Sequence, residues 1–306
     1  MPPVDRNQPK RATSSDSTYS VMEFIRQFPD DETCLQWLWR RLDSTDGEHA
    51  HCPKCGETRK FHRVASRPSY SCDVCGHHIH PTAGTIFHKS STSLHLWFYA
   101  IFLMSSTRCG ISAKQLEREL GVTYKTAWRM FHLIRNMLME QDDEPLSGDI
   151  EMDETYVGGY RKSAKGRKPA PKSTVFGMVE RRGRVSAHVV ADASMPSLYP
   201  YIGKTIANGS RVFTDEHQTY MNMPKARFAH EAVNHRSGVF VDGDVHTQTI
   251  DNFWSLVKNG ITGVYHNVSP QHLQGYLNEY VYRYNHRDDL TPMFFSVLGQ
   301  IRRKSA

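Results

Sequence analysis

The chain has 306 residues, with 38 Lys and Arg against 32 Asp and Glu, a net charge of +6 and a pI near 8.9. Hydrophobic content of 39% and aromatic content of 11% exclude a wholly disordered chain. The longest apolar run, Leu96–Met104, is half of what a membrane span needs. The length predicts two domains with a small module added. Residues 1–19 lack an apolar core and read as a disordered tail, not a secretory signal. A soluble cytoplasmic protein without a membrane partner, facing nucleic acid, is the class these features predict. The charge is uneven. Residues 1–150 carry 18 basic and 18 acidic side chains, and residues 151–306 carry 20 and 14.

After the first helices, four of the six cysteines form two pairs, Cys52-Pro-Lys-Cys55-Gly56 and Cys72-Asp-Val-Cys75-Gly76. Each pair has two residues between its thiols, the spacing of a knuckle that presents two thiolates to one tetrahedral Zn²⁺. Four thiolates leave no open position, so the predicted zinc is structural. A pair of disulfides is the other reading, and it does not suit a cytoplasmic chain. Cys34 and Cys109 stand alone and read as buried small hydrophobes. Residues 20–90 are thus predicted to hold N-terminal helices and a zinc ribbon.

Residues 91–145 read as a helix-turn-helix region. Leu94–Met104 is apolar nearly all round and predicts a buried helix. Ser112, with Gln115 three residues on, matches a capping box. Leu116 and Leu120 face inward, Gly121-Val-Thr123 turns, and Thr123 caps a second helix from Tyr124. Ala127, Met130, Phe131 and Ile134 form its inner face. Lys125, Arg129 and Arg135 are then expected outside, where they suit DNA phosphates or base edges. A plain helical hairpin satisfies the same pattern.

Residues 149–157 alternate as a strand, with Glu151, Asp153 and Thr155 on one face and Ile150, Met152 and Glu154 on the other. Glu154 is expected to point away from any site on the Asp153 face. The following segment holds Arg161, Lys162, Lys165, Arg167, Lys168 and Lys172 without an acid. It is either a solvated loop or a phosphate-contacting arm. Strands at 174–180 and 184–191, a helix at 195–207 and strands at 211–215 and 227–233 then predict a five-stranded mixed sheet with helices packed on it. A helix at 249–259, capped by Thr249, places Asp251, Ser255 and Lys258 on one face, with Phe253 and Leu256 packing inward. A helix at 269–286 closes the domain. Asp153, Asp215 and Asp251 can converge on two divalent cations, which would activate a water or a DNA 3′-hydroxyl and stabilise the leaving oxygen.

The order of motifs is more specific than any one of them. Paired Cys knuckles and a helix-turn-helix precede Glu151-Met-Asp153-Glu-Thr-Tyr-Val-Gly-Gly159. Thr214-Asp215-Glu-His follows, then His246-Thr-Gln-Thr-Ile-Asp251-Asn-Phe-Trp-Ser-Leu-Val-Lys258, then Tyr276-Leu-Asn-Glu-Tyr280 and Arg283-Tyr-Asn285. From about residue 20 to 300 this resembles the zinc-ribbon DDE transposases of the bacterial insertion-sequence family numbered fifteen-ninety-five, relatives of the eukaryotic Merlin elements. The resemblance implies a multidomain α+β or α/β protein with a ribonuclease-H-like mixed-sheet catalytic domain at 146–300. It implies catalysis by Asp153, Asp215, Asp251 and Lys258, with two Mg²⁺ or Mn²⁺ ions held by the three aspartates. It implies cutting and joining of double-stranded DNA at transposon ends and target, by a multimer at the bacterial nucleoid. Two positions depart from the family, which usually has Glu at Asp251 and Asn at Gln248. A transposase-derived DNA-binding protein with an inert catalytic domain, and a nuclease of the same fold that cuts without joining, are the alternatives.

Overall fold

The computed structural model describes residues 19–107, 109–142, 144–158, 172–215, 218–221, 227–233 and 246–303. They fall into two compact units, Ser17–Leu138 with Leu290–Ala306, and Met139–Asp289.

The first unit begins with α1 (Val21–Gln27) and α2 (Asp31–Leu42). Ser20 and Glu23 close a capping box on α1, and Asp30 caps α2 by accepting from the Thr33 N–H. Four antiparallel strands follow in the order β1 (His49–Cys52), β2 (Glu57–Val64), β3 (Ser69–Cys72), β4 (His78–Ile79). This small sheet is pinned from one side by Trp39 of α2. Its indole stacks on Tyr70 with centroids 4.1 Å apart, and its N–H donates to the Gly47 carbonyl. Next comes α3 (Leu94–Ser106), whose Trp97, Phe98 and Ile101 are fully buried.

Then α4 (Ala113–Leu120) and α5 (Tyr124–Leu133) are joined by a short turn. Gly121 sits there at φ +63°, in the left-handed region where glycine carries no Cβ penalty. The Ser112 and Thr123 hydroxyls accept from the Gln115 and Thr126 N–H groups, as the sequence predicts. Ile111, Leu116, Leu120, Ala127, Met130, Phe131 and Ile134 are all buried. The predicted outward Arg135 is not outside. The α-helical period ends at Leu133, and a π-helical turn over Ile134–Leu138 carries Arg135 inward, its guanidinium 3.4 Å from the centre of the Phe131 ring. Cys34 is buried, but Cys109 is exposed, against expectation. The last helix, α10 (Met293–Gly299), packs in this unit, with Phe294 edge-on to Phe24 and Phe28. The sequence instead carries the second domain to residue 300.

The second unit is a five-stranded mixed sheet in the order β7 (Val185–Val190), β6 (Ser173–Glu180), β5 (Asp149–Val157), β8 (Arg211–Asp215), β9 (Ala229–Val233). The first three strands pair antiparallel, while β8 and β9 run parallel to β5. Both faces are covered. On one, α6 (Met195–Thr205) sends Leu198 and Ile202 against Ile150, Met152, Phe176 and Met178, where buried Tyr220 of the short helix α7 (Gln218–Met221) also packs. On the other, α8 (Gln248–Gly260) and α9 (Pro270–Asn285) press Ile250, Phe253, Trp254, Leu277 and Tyr280 onto Val175, Val179 and Val185. The outer strand β7 exposes no free ladder to a further strand. Asn285, Gln141 and Gln274 accept from the N–H groups of Val185, Ala187 and Val189 through their side-chain oxygens. Such pairing blunts an edge.

Candidate functional site

The acids are placed by strand register. β5 and β8 pair in parallel, with Glu151 opposite Phe213, and Asp153 and Asp215 follow two residues further along their strands, near enough for the Asp215 charge to act on Asp153. The third acid comes from α8, on the sheet face that Asp153 shares. Asp251, Ser255 and Lys258 are exposed together on that helix, as their spacing predicts, while Phe253 is buried. Leu256, expected inside, is 37% exposed, because the buried stripe of α8 runs through Ile250, Phe253, Trp254 and Val257.

Burial raises the Asp153 carboxyl, and the charges of Glu154, Asp251 and Asp215 raise it further, to about 7. An isolated carboxylate has no reason to be that basic. A crowd of acids in a low-dielectric setting does, and a bound cation relieves it. A hydrogen bond from the Trp254 indole N–H to Asp153 Oδ2, 2.9 Å, opposes the rise. Glu154 lies on the other face of β5 and accepts a hydrogen bond from the buried Tyr220 hydroxyl.

Two residues before Asp153, the fully buried Glu151 has a task that sequence reasoning missed. Its carboxylate caps α8. Oε2 accepts from the N–H groups of Thr249 at 2.7 Å and Ile250 at 3.1 Å, and Oε1 accepts from the Thr249 hydroxyl at 2.9 Å. Arg181 pairs with the same carboxylate at 2.8 Å, and His246 Nδ1 lies 3.1 Å from it. Thr249 is therefore not the helix cap. Thr247 occupies that position without a side-chain hydrogen bond, and Glu151 supplies the acceptor from the neighbouring strand. A negative charge at a helix N-terminus is favourable in itself. Here it also ties the strand of Asp153 to the helix of Asp251.

Three aspartates with these surroundings fit a hard divalent cation by donor chemistry. Among the described residues they do not form a closed cage, since only a cysteine set brings its ligand atoms within 4.8 Å of one another. Mg²⁺ requires no such cage. It keeps waters and is commonly held by one or two carboxylates together with substrate phosphate oxygens.

The cysteine set is Cys52, Cys55, Cys72 and Cys75. Cys52 and Cys75 sulfurs are 3.6 Å apart and Cys55 and Cys72 sulfurs 3.9 Å apart. A tetrahedron with Zn–S of ~2.3 Å has edges of about 3.8 Å, so these four could hold one zinc ion. Gly56 and Gly76 follow the second thiol of each pair at positive φ, +73° and +68°. Their N–H groups donate to the carbonyls of Cys52 and Cys72, which closes each knuckle. Burial acts to raise the Cys52 thiol, but the Cys55 and Lys54 N–H groups outweigh it and bring it down to about 7.

Of the predicted DNA contacts, Lys125 and Arg129 are exposed on α5, and Lys172 is exposed just before β6. Arg161, Lys162, Lys165, Arg167 and Lys168 lie outside the described residues. No described helix is long and apolar enough to cross a membrane.

A family model described as an ISXO2-like transposase domain matches residues 145–285. A protein of Halobacterium salinarum, "Uncharacterized protein in transposable element ISH50", is 29% identical over 262 residues, which cover 76% of this chain and 84% of that protein. The matched stretch contains Asp153, Asp215, Asp251 and Lys258, and over it the chain is similar to the ISXO2-like transposase domain.

Proposed function

We propose that this chain is a transposase that cuts and joins DNA strands at the ends of an insertion sequence. Asp153, Asp215 and Asp251 would hold two Mg²⁺ or Mn²⁺ ions in a ribonuclease-H-like core. The observation that carries this reading is the Asp153 carboxyl, raised by burial and by the acids around it, on the strand beside Asp215. Divalent ions bound there supply activation of a hydroxyl nucleophile and stabilisation of the leaving oxygen.

The chain's own residues position and neutralise, which is most of what phosphoryl transfer asks of a protein. Lys258 shares the exposed face of α8 with Asp251 and takes a phosphate beside the scissile bond. Glu151 and Arg181 hold the start of α8 in place. The cysteine knuckles carry structural zinc, and α4 with α5 forms a helix-turn-helix that reads the terminal inverted repeats. Lys125 and Arg129 contact the DNA there, and the basic segment Arg161–Lys172 grips the backbone near the site. Residues 20–90, 91–145 and 146–289 serve as ribbon, recognition region and catalytic domain, in a multimer that brings two ends together at the bacterial nucleoid.

The test is strand cleavage of duplex DNA carrying the inverted repeat that flanks the coding region. Wild type should nick it only with Mg²⁺ or Mn²⁺, and Asp153→Asn and Asp215→Asn should not nick it. Equal products from wild type and variants would remove the catalytic assignment. A wild type that binds the repeat without cutting it would identify an inert descendant.

A further inference from the structure

We propose that Trp254 is a positioning residue for the reaction, fixing the Asp153 carboxylate to the helix that carries Asp251, and that Gly177 is its seat. This rests on the two-metal reading above.

Trp254 is 3% exposed in the core beneath α8. Its N–H is a donor only, with no acceptor role to fill, and it ends on Asp153 Oδ2 at 2.9 Å. Packing of the ring does not demand that bond, yet the ring is delivered to it with some care. Gly177 of β6 is the residue paired directly opposite Asp153. A Cβ at Gly177 would stand 2.5 Å from Trp254 Cζ2 and 2.6 Å from Cη2. The six-membered ring therefore occupies the space a side chain would take on β6, and the N–H reaches across to β5. Any other residue at 177 would lift the ring and break the bond.

Helix spacing completes the argument. Asp251 and Trp254 are three residues apart, so they leave α8 on neighbouring sides one turn apart. One helix thus delivers both the third acid and the group that orients the first. The indole engages Oδ2, which sets the plane of the carboxylate and leaves Oδ1 for a cation. It also fixes the separation of α8 from β5. Residues that orient a ligand in this way typically carry 10–100-fold of metal affinity or activity.

The chain provides its own probe. It has five tryptophans, and the other four, Trp37, Trp39, Trp97 and Trp128, all lie in the first unit. The experiment records the five indole N–H signals of the ¹⁵N-labelled, zinc-loaded full chain by NMR, and Mn²⁺ binding by electron paramagnetic resonance. Asp153→Asn should move one indole signal alone, the one absent from Trp254→Phe. Trp254→Phe should weaken Mn²⁺ binding and lower kcat for cleavage, each by about 10–100-fold, with DNA affinity unchanged. Gly177→Ala keeps the indole and should shift its signal and weaken Mn²⁺ binding in the same direction. Should Trp254→Phe not fold, the Asp153→Asn spectrum and Gly177→Ala decide. An indole spectrum unmoved by Asp153→Asn overturns the proposal, and so does Trp254→Phe binding Mn²⁺ as wild type does. A wild type that binds Mn²⁺ with the expected indole response but cuts no DNA sinks the transposase reading and leaves Trp254 as a positioning residue for the cation alone.

Discussion

Asp153→Asn removes a titrating group whose burden can be worked from the structure. The carboxyl is raised from an ordinary 3.8 to about 7, first by burial and then by Glu154, Asp251 and Asp215. The native state therefore keeps a proton that the unfolded chain releases between those values. In that window the folded state binds more protons, so stability falls as pH rises from about 4 to 7 and levels off above. Each unit corresponds to about 1.4 kcal/mol. About three units, discounted for partial solvent screening, give a loss of about 2–4 kcal/mol at pH 8. The Asn variant never ionises there. In divalent-free buffer with zinc retained, it should unfold at higher urea than wild type at pH 8 and at similar urea at pH 4.5. The assay is equilibrium urea unfolding followed by circular dichroism across that range. Mg²⁺ should stabilise wild type at pH 8 and the variant far less, since an ion that binds only the folded state raises its stability. Parallel pH slopes for the two proteins would refute the crowded-acid argument.

Glu151→Gln keeps an oxygen for the α8 N–H groups but leaves Arg181 without its buried partner charge. It should cost about 3–5 kcal/mol, measured by thermal unfolding at pH 7. Cys52→Ser should drop the zinc content from one ion per chain and unfold the small sheet, checked by elemental analysis with NMR. Lys125→Ala and Arg129→Ala should each reduce the slope of log K against log salt by about 1 in DNA binding, with cleavage of bound DNA intact. Replacing Arg161, Lys162, Lys165, Arg167 and Lys168 with Gln should flatten the same slope further. An unchanged slope returns that segment to solvated surface.

What the sequence reveals about this molecule divides by range. The Cys knuckles, the Ser112 and Thr123 caps and the alternation of 149–157 are local patterns, and each reappears in place. The strand carrying Asp153 and the helix face of Asp251 and Lys258 are equally local. Glu151 and Trp254 were not legible. Their partners stand 98 and 101 residues away, and a Glu in a strand or a Trp in a helix has no pattern that names such a partner. Gly177 was the available signal, a glycine inside an apolar strand where something must approach closely. Arg135 and Leu256 failed for a different reason. Arg135 was assigned by ideal helical period, from which the π-helical turn after α5 departs, whereas Leu256 simply lies off the i, i+3, i+4, i+7 stripe of Ile250, Phe253, Trp254 and Val257 that α8 buries.

The central claim is that three aspartates join as well as cut DNA, and strand transfer from a pre-cut end tests it most directly. A duplex carrying the inverted repeat and a free 3′-hydroxyl is incubated with the full chain, a plasmid target and Mg²⁺. The account predicts covalent joining by wild type and none by Asp153→Asn, Asp215→Asn or Asp251→Asn. Joining that survives in those variants, or hydrolysis of the plasmid without joining, would contradict it.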